Sequence, residues 1–234
     1  MALAVADLYD PIQRARGKDY DAESRKLVAL IHARRPGAAT LLDVACGTGQ
    51  HLAYLRGHFR VEGVDLDPGM LAHARARLGP NLPLHRADMV GLDLGRRFDV
   101  VTCLFSAIGY VRTVARLRQA IRAMARHLEP GGLLIVEPWI RPDDWQVGNL
   151  HAVFVDEPAL KVARLVVSGR RGRLSLSDMH FLVATPLGVQ RLREKLVMGL
   201  FADPEYRAAF ESAGLRVEYD PGGLEDRGMF LGVA

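Results

Sequence analysis

The sequence predicts an α/β fold, a Rossmann-like, doubly wound parallel sheet with an antiparallel β insert over the carboxyl edge of its strands. Two observations lead to this prediction. Short apolar segments alternate with helical segments over residues 37–140, which is the pattern of β-α-β units. From 141 to 201 the helical pattern is missing, and strand-like segments separated by turns replace it. We therefore expect a helical arm at 1–36, a sheet domain at 37–140 with 202–234, and an insert at 141–201.

The N-terminal arm, residues 1–36, has a helical pattern. Acidic residues at 19–23 favour a helix start, because negative charge is stabilising near the N-terminus of a helix. The arm also carries Tyr9 and Tyr20. Two interpretations stay open at this point: a surface arm, or a lid whose tyrosines give a bound ligand a large contact area.

The central feature of the chain is the segment 40–49, which ends in Cys46-Gly-Thr-Gly49. Its apolar start fits a strand that is buried on both faces, and the glycines permit a tight turn close to a ligand. The helical pattern from Gln50 places a helix N-terminus directly after the turn. Leu52 stands where a dinucleotide-binding fingerprint requires a third glycine, so the loop predicts a different nucleoside-like cofactor.

Acidic residues occur at the ends of three successive predicted strands. Asp43 precedes the glycine turn, Asp65 ends the second strand, and Asp88 follows the third. An acid in the position of Asp65 can accept hydrogen bonds from ribose hydroxyls. Asp88 is placed to reach an adenine amino group, with Met89 against the ring. Each acid alone is equally well explained as a helix cap, but together they indicate one site.

The remaining elements complete the predicted order. A fourth strand at 98–105 precedes a helix at 114–128, which ends at Glu129-Pro-Gly, and a fifth strand covers 133–136. In the insert, strands are expected at 152–155, 161–167 and 173–180, with turns at Ser168-Gly169 and Leu187-Gly188. A helix begins at Asp203, and strands at 215–219 and 229–233 end the chain.

Composition excludes several classes of protein. The 234 residues are 49% hydrophobic and 25% charged, with a net charge of +4, as in ordinary soluble domains. The basic residues are scattered, which gives no support to nucleic-acid binding. No apolar run approaches the ~20 residues that span a bilayer, and the N-terminus lacks a signal-peptide pattern, so we expect a cytoplasmic protein. Cys46 and Cys103 lie in apolar segments and indicate neither a disulfide nor a metal site.

The segment Asp43–Gly49 resembles the first motif of class I S-adenosylmethionine (SAM)-dependent methyltransferases. Four further segments narrow the resemblance: Leu8-Tyr-Asp10, Arg16-Gly-Lys-Asp-Tyr20, Glu137-Pro-Trp139 and Arg227-Gly-Met-Phe230. With them the chain resembles the N,N-dimethyltransferases that act on the amino group of nucleoside-diphosphate 3-amino-deoxysugars, the desosamine and mycaminose type, in antibiotic biosynthesis. The resemblance implies SAM as the cofactor, S-adenosylhomocysteine (SAH) as its product, and a small-molecule acceptor, a TDP-amino sugar.

The resemblance also supplies site residues. The expected cofactor-binding residues are Tyr9, Tyr20, Asp43, Ala45, Cys46, Gly47, Gly49, Asp65, Leu66, Met70, Asp88, Met89 and Leu104. The expected acceptor-binding residues are Phe105, Ser106, Tyr110, Trp139 and Arg227, of which Arg227 would meet the diphosphate.

The reaction implied is attack by a neutral amine on the methyl group of the sulfonium, for which alignment is the main requirement. Tyr110, Glu137 and His180 are the catalytic candidates for orienting the amine or accepting its proton, although a phenol with a pKa near ~10 is a poor base at neutral pH. Two alternatives stay open: methylation of another small acceptor at nitrogen or oxygen, and a SAM-binding partner protein without catalysis. A homodimer is an open alternative for the oligomeric state.

Overall fold

The computed structural model describes residues 3–224 and 227–234. The helices are α1 (Val5–Ala15), α2 (Tyr20–Arg34), α3 (Gln50–Leu55), α4 (Pro68–Leu78), α5 (Val114–Ala125) and α6 (Asp203–Ser212), with a 3-10 helix at Ala107–Val111. The strands are β1 (Thr40–Val44), β2 (Arg60–Asp65), β3 (Leu84–Arg86), β4 (Phe98–Cys103), β5 (Leu128–Val136), β6 (Leu150–Glu157), β7 (Leu160–Arg171), β8 (Leu174–Thr185), β9 (Gly188–Gly199), β10 (Arg216–Asp220) and β11 (Met229–Val233).

The larger sheet has seven strands in the order β10-β11-β5-β4-β1-β2-β3. Strands β1 to β5 pair in parallel, while β11 runs antiparallel to both of its neighbours. The order reverses between β1 and β4, and the crevice at such a switch point is where ligands bind in open α/β sheets. The predicted α/β fold class is confirmed.

The smaller sheet is a four-stranded antiparallel meander, β6-β7-β8-β9. Its strands are longer than the sequence pattern predicted, and the turn expected at Ser168-Gly169 is wrong. Ser168 pairs with Ser177 and Gly169 with Leu176, so both lie within the β7–β8 ladder. The chain reverses instead at Gly172, whose φ of 58° suits a tight hairpin turn.

The predicted helix end at residue 128 is also wrong. Helix α5 ends at Ala125, and Leu128 begins β5 by pairing with Phe98 of β4. The register of the two strands then shifts, and Gly131 takes a φ of 71° in the interrupted part. The Glu129-Pro-Gly segment that was expected to follow the helix is therefore an irregular stretch inside a strand.

Helix α1 is attached to both of the other parts of the molecule. Leu8 and Ile12 are buried against Val155, Val162 and Phe181 of the insert sheet. On the other side, the Asp10 carboxylate accepts a hydrogen bond from the Thr48 hydroxyl in the glycine loop over 2.7 Å. The arm is therefore packed between the loop and the insert and is not a free surface segment. None of the helices in the described ranges has the length and apolar character to cross a membrane.

Candidate active site

A cavity of about 1940 Å³ lies between the carboxyl edge of the parallel strands, helix α1 and one face of the insert sheet. A pocket for one small ligand holds about 300–1,000 Å³, so this cavity has room for a cofactor and an acceptor together. The predicted site residues that line it are Tyr9, Ala45, Gly47, Asp65, Leu66, Met70, Asp88, Met89, Leu104, Phe105, Tyr110, Trp139 and Arg227.

The structure does not bring every predicted residue to the cavity wall. Those among the described residues that lie outside the wall are Tyr20, Asp43, Cys46, Gly49, Ser106, Glu137 and His180. Each of them is held elsewhere by contacts that the sequence pattern could not show.

The glycine loop is fixed by the acid that ends β2. Asp65 accepts hydrogen bonds from the backbone N–H groups of Gly47 at 2.8 Å and of Asp67 at 2.9 Å. Burial nevertheless raises the pKa of Asp65, outweighing these hydrogen bonds, which lower it. Ala45 and Gly47 both have positive φ, 61° and 56°, so the loop bends sharply where it lines the cavity.

The glycine loop is supported on the side away from the cavity by Asp43, Cys46 and Gly49. Asp43 is 2% exposed and accepts a hydrogen bond from the Thr102 hydroxyl of β4 over 2.8 Å, while burial raises the pKa of Asp43 to about 6. Cys46 is buried in the core beside β2. At Gly49, with a φ of 74°, an added Cβ would lie 2.7 Å from the Leu78 side chain, so close packing against α4 requires glycine there.

Asp88 lies at the rim of the cavity. One of its carboxylate oxygens accepts the Val90 N–H at 3.0 Å, and the other forms an ion pair with Arg116 at 2.9 Å. Its side chain is 44% exposed, so its free lone pairs face the opening. Apolar surface in the cavity lining comes from Leu66, Met89 and Leu104.

Glu137 positions the loop after β4 and does not face the cavity. It is 1% exposed, and one oxygen accepts the Phe105 N–H at 2.5 Å. Burial raises the pKa of Glu137, against the effect of that hydrogen bond. Ser106, also buried, donates its hydroxyl to the carbonyl of Pro138 over 2.7 Å. Phe105 and Ser106 both have positive φ, 51° and 61°, and these two hydrogen bonds hold that strained turn.

The ring of Phe105 lies between two cations. The Lys18 ammonium is 3.9 Å from the ring centroid, and the guanidinium carbon of Arg227 is 5.3 Å from it. Lys18 is 3% exposed and pairs with Glu23 at 2.6 Å. Glu23 also meets His51 at 2.8 Å. Tyr20 packs edge-on against His51 with 5.0 Å between centroids, which places it in this buried network behind the wall.

Tyr110, on the 3-10 helix, is surrounded by carboxylates. Burial first, and then Glu194, Asp65 and Asp67, raise the pKa of Tyr110 to about 12. The residue lines the cavity, and 53% of its surface is exposed. The phenol therefore stays protonated near neutral pH, and its hydroxyl is available as a hydrogen-bond donor.

Sequence analysis missed Glu194 on β9. It lines the cavity on the same inward face as Leu196, and burial followed by Asp67 raises the pKa of Glu194. An acid that alternates with Leu192 and Leu196 on one face of a strand is the signal that could have identified it. Trp145 was missed as well: its ring lies 5.8 Å from that of Trp139, and both line the cavity.

His180 lies on the face of β8 that points away from the cavity. Met179 and Phe181, its neighbours in the strand, line the cavity, and alternate side chains point to opposite faces. The His180 side chain is 55% exposed and lies 3.4 Å from Asp178. The prediction of a catalytic His180 is therefore wrong.

Comparison with known proteins agrees with this geometry. Residues 41–132 match a methyltransferase domain family. The chain is 44% identical, over 97% of both chains, to a dTDP-3-amino-3,4,6-trideoxy-alpha-D-glucopyranose N,N-dimethyltransferase of Streptomyces venezuelae. It is 42% identical to a dTDP-4-amino-2,3,4,6-tetradeoxy-D-glucose N,N-dimethyltransferase of Saccharopolyspora spinosa, covering 97% of this chain and 92% of that one.

Two solved structures are similar over the whole chain. The crystal structure of Streptomyces venezuelae DesVI has a TM-score of 0.94 and 43% identity, covering 100% of this chain and 99% of that one. SAM-bound CalS10, an amino pentose methyltransferase from Micromonospora echinaspora, has a TM-score of 0.88 and 41% identity, covering 100% and 98%. The cavity at the switch point, the Asp65-fixed loop and these full-length similarities lead to one conclusion: the chain belongs to the family of SAM-dependent sugar N,N-dimethyltransferases.

Proposed function

We propose that this enzyme transfers methyl groups from SAM to the amino group of a nucleoside-diphosphate amino-deoxysugar. Two rounds of transfer convert the amino group into a dimethylamino group. The observation that carries the proposal is that carboxylates at the switch point and the arginines Arg16, Arg164 and Arg227 line the same cavity. A cationic cofactor and an anionic nucleotide sugar would each find the opposite charge there.

The residues present fit SAM. Asp65 keeps its carboxylate at the wall next to the Gly47 turn, where ribose hydroxyls can donate to it, and Leu66, Met89 and Leu104 provide apolar surface for a purine. When bound, SAM supplies an electrophilic methyl group on a sulfonium. Tyr9 and Met70 also line the cavity.

Residues of the chain would orient the amine and accept its proton. The protonated phenol of Tyr110 can donate a hydrogen bond that orients the acceptor, because its pKa lies far above neutral pH. Glu194 is the proposed proton acceptor, since its carboxyl lines the cavity and burial raises its pKa toward the working range of a general base. Glu137 serves instead to position Phe105.

The acceptor would lie against Phe105 and Trp139. Trp139 is oriented by its indole N–H, which donates to the Ser175 hydroxyl over 2.9 Å, and Trp145 packs beside it. Arg227, whose guanidinium lies over the Phe105 ring, would bind the diphosphate.

The position of the amine on the sugar is a separate question. Relatives of similar identity carry names that place it at C3 in the Streptomyces venezuelae protein and at C4 in the Saccharopolyspora spinosa protein. We propose the 3-amino sugar. The test is turnover with SAM and a panel of matched TDP-sugars carrying a 3-amino, a 4-amino or a 3-hydroxyl group, followed by mass spectrometry.

Conversion of the 3-amino sugar to a dimethylated product supports the proposal. Conversion of the 3-hydroxyl sugar alone would show an O-methyltransferase, and binding of SAM without any methylated product would show a non-catalytic SAM-binding protein. Selective conversion of the 4-amino sugar would keep the reaction and overturn the proposed position.

We also propose that the protein is a homodimer formed through the outer face of the insert sheet. This face exposes large apolar side chains, namely Leu150, Leu165, Val167 and Leu182, each at least 47% exposed. An apolar patch on a sheet suits a self-complementary contact between two copies. Leu165→Glu should reduce the mass measured by light scattering to that of a monomer, whereas Leu187→Glu at the 87% exposed turn should not. A wild-type monomer would contradict the proposal.

Two further expectations stay predictions of the sequence: that no nucleic acid takes part, and that the protein is cytoplasmic.

A further inference from the structure

The glycine loop is held by the N-terminal arm as well as by the sheet. Thr48, at the centre of the loop, is 2% exposed, and its hydroxyl donates to the Asp10 carboxylate of α1 over 2.7 Å. The other oxygen of Asp10 accepts a hydrogen bond from Arg77 of α4 at 2.5 Å. The guanidinium of Arg77 also donates to the carbonyl of Thr48. One residue of the loop is therefore held at its hydroxyl and at its carbonyl by two helices that are distant in the chain.

The position of Thr48 in the loop makes these contacts important. It stands between Gly47 and Gly49, whose φ angles are 56° and 74°. Glycine has the greatest backbone freedom of all residues, so a loop with a glycine on each side of Thr48 needs outside contacts to select one conformation. Asp65 supplies such a contact at Gly47, which lines the cavity. Asp10 supplies the next contact along the loop, and it comes from the arm.

Helix α1 differs on its two sides. Toward the insert its contacts are apolar, through the buried side chains of Leu8 and Ile12. Toward α4 and the loop they are polar: Asp10 forms the contacts described above, and Asp7 meets His73 of α4 at 3.0 Å. The Asp7–His73 contact joins the arm to α4 without involving Thr48, so it provides an internal comparison for the contact that does.

We infer that Asp10 is a positioning residue for the cofactor: it fixes Thr48 and thereby keeps the glycine loop in the conformation that binds SAM. This inference deepens the proposed function, since it rests on SAM as the cofactor but not on the identity of the acceptor. A hydrogen bond from a hydroxyl to a carboxylate is stronger than one between neutral groups, and the Asp10 side chain is only 13% exposed.

The linkage has a second consequence. If the docked arm favours the loop conformation that binds SAM, bound cofactor must favour the docked arm by the same factor. The cofactor should therefore protect the arm even though Asp10 acts only through Thr48.

The first experiment is calorimetric titration of the full-length protein with SAM. The variant is Asp10→Ala, which removes the acceptor and introduces a good helix former into α1. We expect the Kd for SAM to rise by roughly tenfold, as for the loss of a hydrogen bond to a charged group. The control is His73→Ala, which removes the other polar contact between α1 and α4, and it should bind SAM like the wild type.

Variants of Thr48 separate a positioning role from a general loss of stability. Thr48→Val removes the hydroxyl and should raise the Kd for SAM as much as Asp10→Ala does. Thr48→Ser keeps the hydroxyl and should bind SAM like the wild type. Because the two residues act through one hydrogen bond, the double variant Asp10→Ala/Thr48→Val should bind SAM no more weakly than the single variants. Losses that multiply in the double variant would overturn the inference.

Limited digestion with trypsin tests the reverse direction of the linkage. The side chain of Arg14, near the end of α1, is 61% exposed and offers a cleavage site. Saturating SAH should slow cleavage of the arm in the wild type and slow it severalfold less in Asp10→Ala. Equal protection by SAH in the two proteins would overturn the inference.

Two binding results would also overturn it. Unchanged SAM affinity in Asp10→Ala would show that the loop keeps its conformation without the arm, and an equal loss in His73→Ala would show that any loosening of the arm has the same effect. The proposed function fails separately: a wild type that binds SAM but methylates no amino-sugar nucleotide overturns that function and leaves this inference intact. A wild type that does not bind SAM overturns both.

Discussion

Asp65 and Gly47 are 18 residues apart in the chain, and the carboxylate of the first accepts the backbone N–H of the second over 2.8 Å. This hydrogen bond joins the end of β2 to the turn after β1, so that the loop and the acid form one rigid edge. The second oxygen of Asp65 accepts the Asp67 N–H at 2.9 Å, which fixes the carboxylate in its orientation toward the cavity.

Asp65→Ala should therefore weaken SAM binding. The variant loses both the acceptor for ribose hydroxyls and the support of the Gly47 turn, and hydrogen bonds to a charged group contribute about 1.5–3 kcal/mol each. We expect the Kd for SAM to rise by about tenfold or more, measured by calorimetry. Asp220→Ala is the matched control, because Asp220 also ends a strand and accepts a backbone N–H two residues on, at 3.0 Å, but lies outside the cavity. Equal affinity in wild type and Asp65→Ala would contradict the cofactor site.

Tyr110→Phe should lower kcat and leave the shape of its pH profile unchanged. With a pKa of about 12, the phenol is protonated throughout the neutral range, so that it can form a hydrogen bond to the acceptor but cannot act as a base. Loss of one hydrogen bond worth about 1 kcal/mol corresponds to a roughly fivefold lower rate. Tyr54→Phe, at a tyrosine that is 42% exposed and outside the cavity, is the control. If Tyr110→Phe has the same kcat as the wild type, Tyr110 does not contribute to the reaction.

Glu194→Gln should abolish the fall of kcat at low pH, which is the acid limb of its pH profile. A base must be ionised to accept a proton, so activity falls as the pH drops through the pKa of Glu194, which burial and Asp67 raise above its ordinary value. Asp67 acts on the Glu194 carboxyl directly, and Glu194 in turn is one of the charges that act on Tyr110, with Asp65, Asp67 and Arg112. We expect kcat to fall by about a hundredfold near neutral pH, as for the loss of a general base, and to become nearly independent of pH below it. Glu211→Gln, on the exposed surface of α6, should keep the wild-type profile. An unchanged acid limb in Glu194→Gln would assign the proton to another group.

Asp99→Asn should destabilise the fold in a pH-dependent way. Although burial alone raises its pKa, hydrogen bonds from the backbone of Ala39, from Arg35 and from Thr40 outweigh that effect and lower the pKa of Asp99 to about 2. Because the folded value lies below the unfolded value of about 3.9, the ionised carboxylate contributes stability above that pH, and the contribution is lost as the pH falls toward 2.

The expected loss for Asp99→Asn is about 1–3 kcal/mol in the free energy of unfolding at pH 7, measured with urea. The difference between variant and wild type should shrink as the pH is lowered from about 4 toward 2. Asp156→Asn is the control: its side chain is 84% exposed, and an exposed ion pair such as the one with Lys161 contributes little to stability. A difference for Asp99→Asn that does not change with pH would contradict the assigned pKa.

The fold and the cofactor end of the site could be predicted because they depend on local pattern. Parallel strands end at one edge of a sheet, so acids placed at successive strand ends, such as Asp65 and Asp88, are brought together by topology alone. Asp43 shows the limit of that argument. It is also placed near a strand end, but its carboxylate lies under the loop and bonds to Thr102, and only the packed structure shows which strand-end acids reach the cavity.

The insert was predicted less accurately for two physical reasons. Side chains of a strand alternate between faces, so a register that is uncertain by one residue moves His180 from the cavity to the outer surface. Glu194 lines the cavity, but the raised pKa of its carboxyl depends partly on Asp67, which is far from it in the chain and lies after β2. Glu137 is a similar case, because its role depends on a strained turn at Phe105 that no local pattern marks.

The central claim is that a sugar nitrogen receives the methyl group in this cavity. The most direct measurement is an NMR experiment on the product formed from SAM with a ¹³C-labelled methyl group and a TDP-3-amino sugar labelled with ¹⁵N. The account predicts a one-bond ¹³C–¹⁵N coupling, with two equivalent labelled methyl groups on the nitrogen at the end of the reaction. A labelled methyl group on oxygen, or a sugar nitrogen that stays free of label while SAM remains bound and unconsumed, would contradict it.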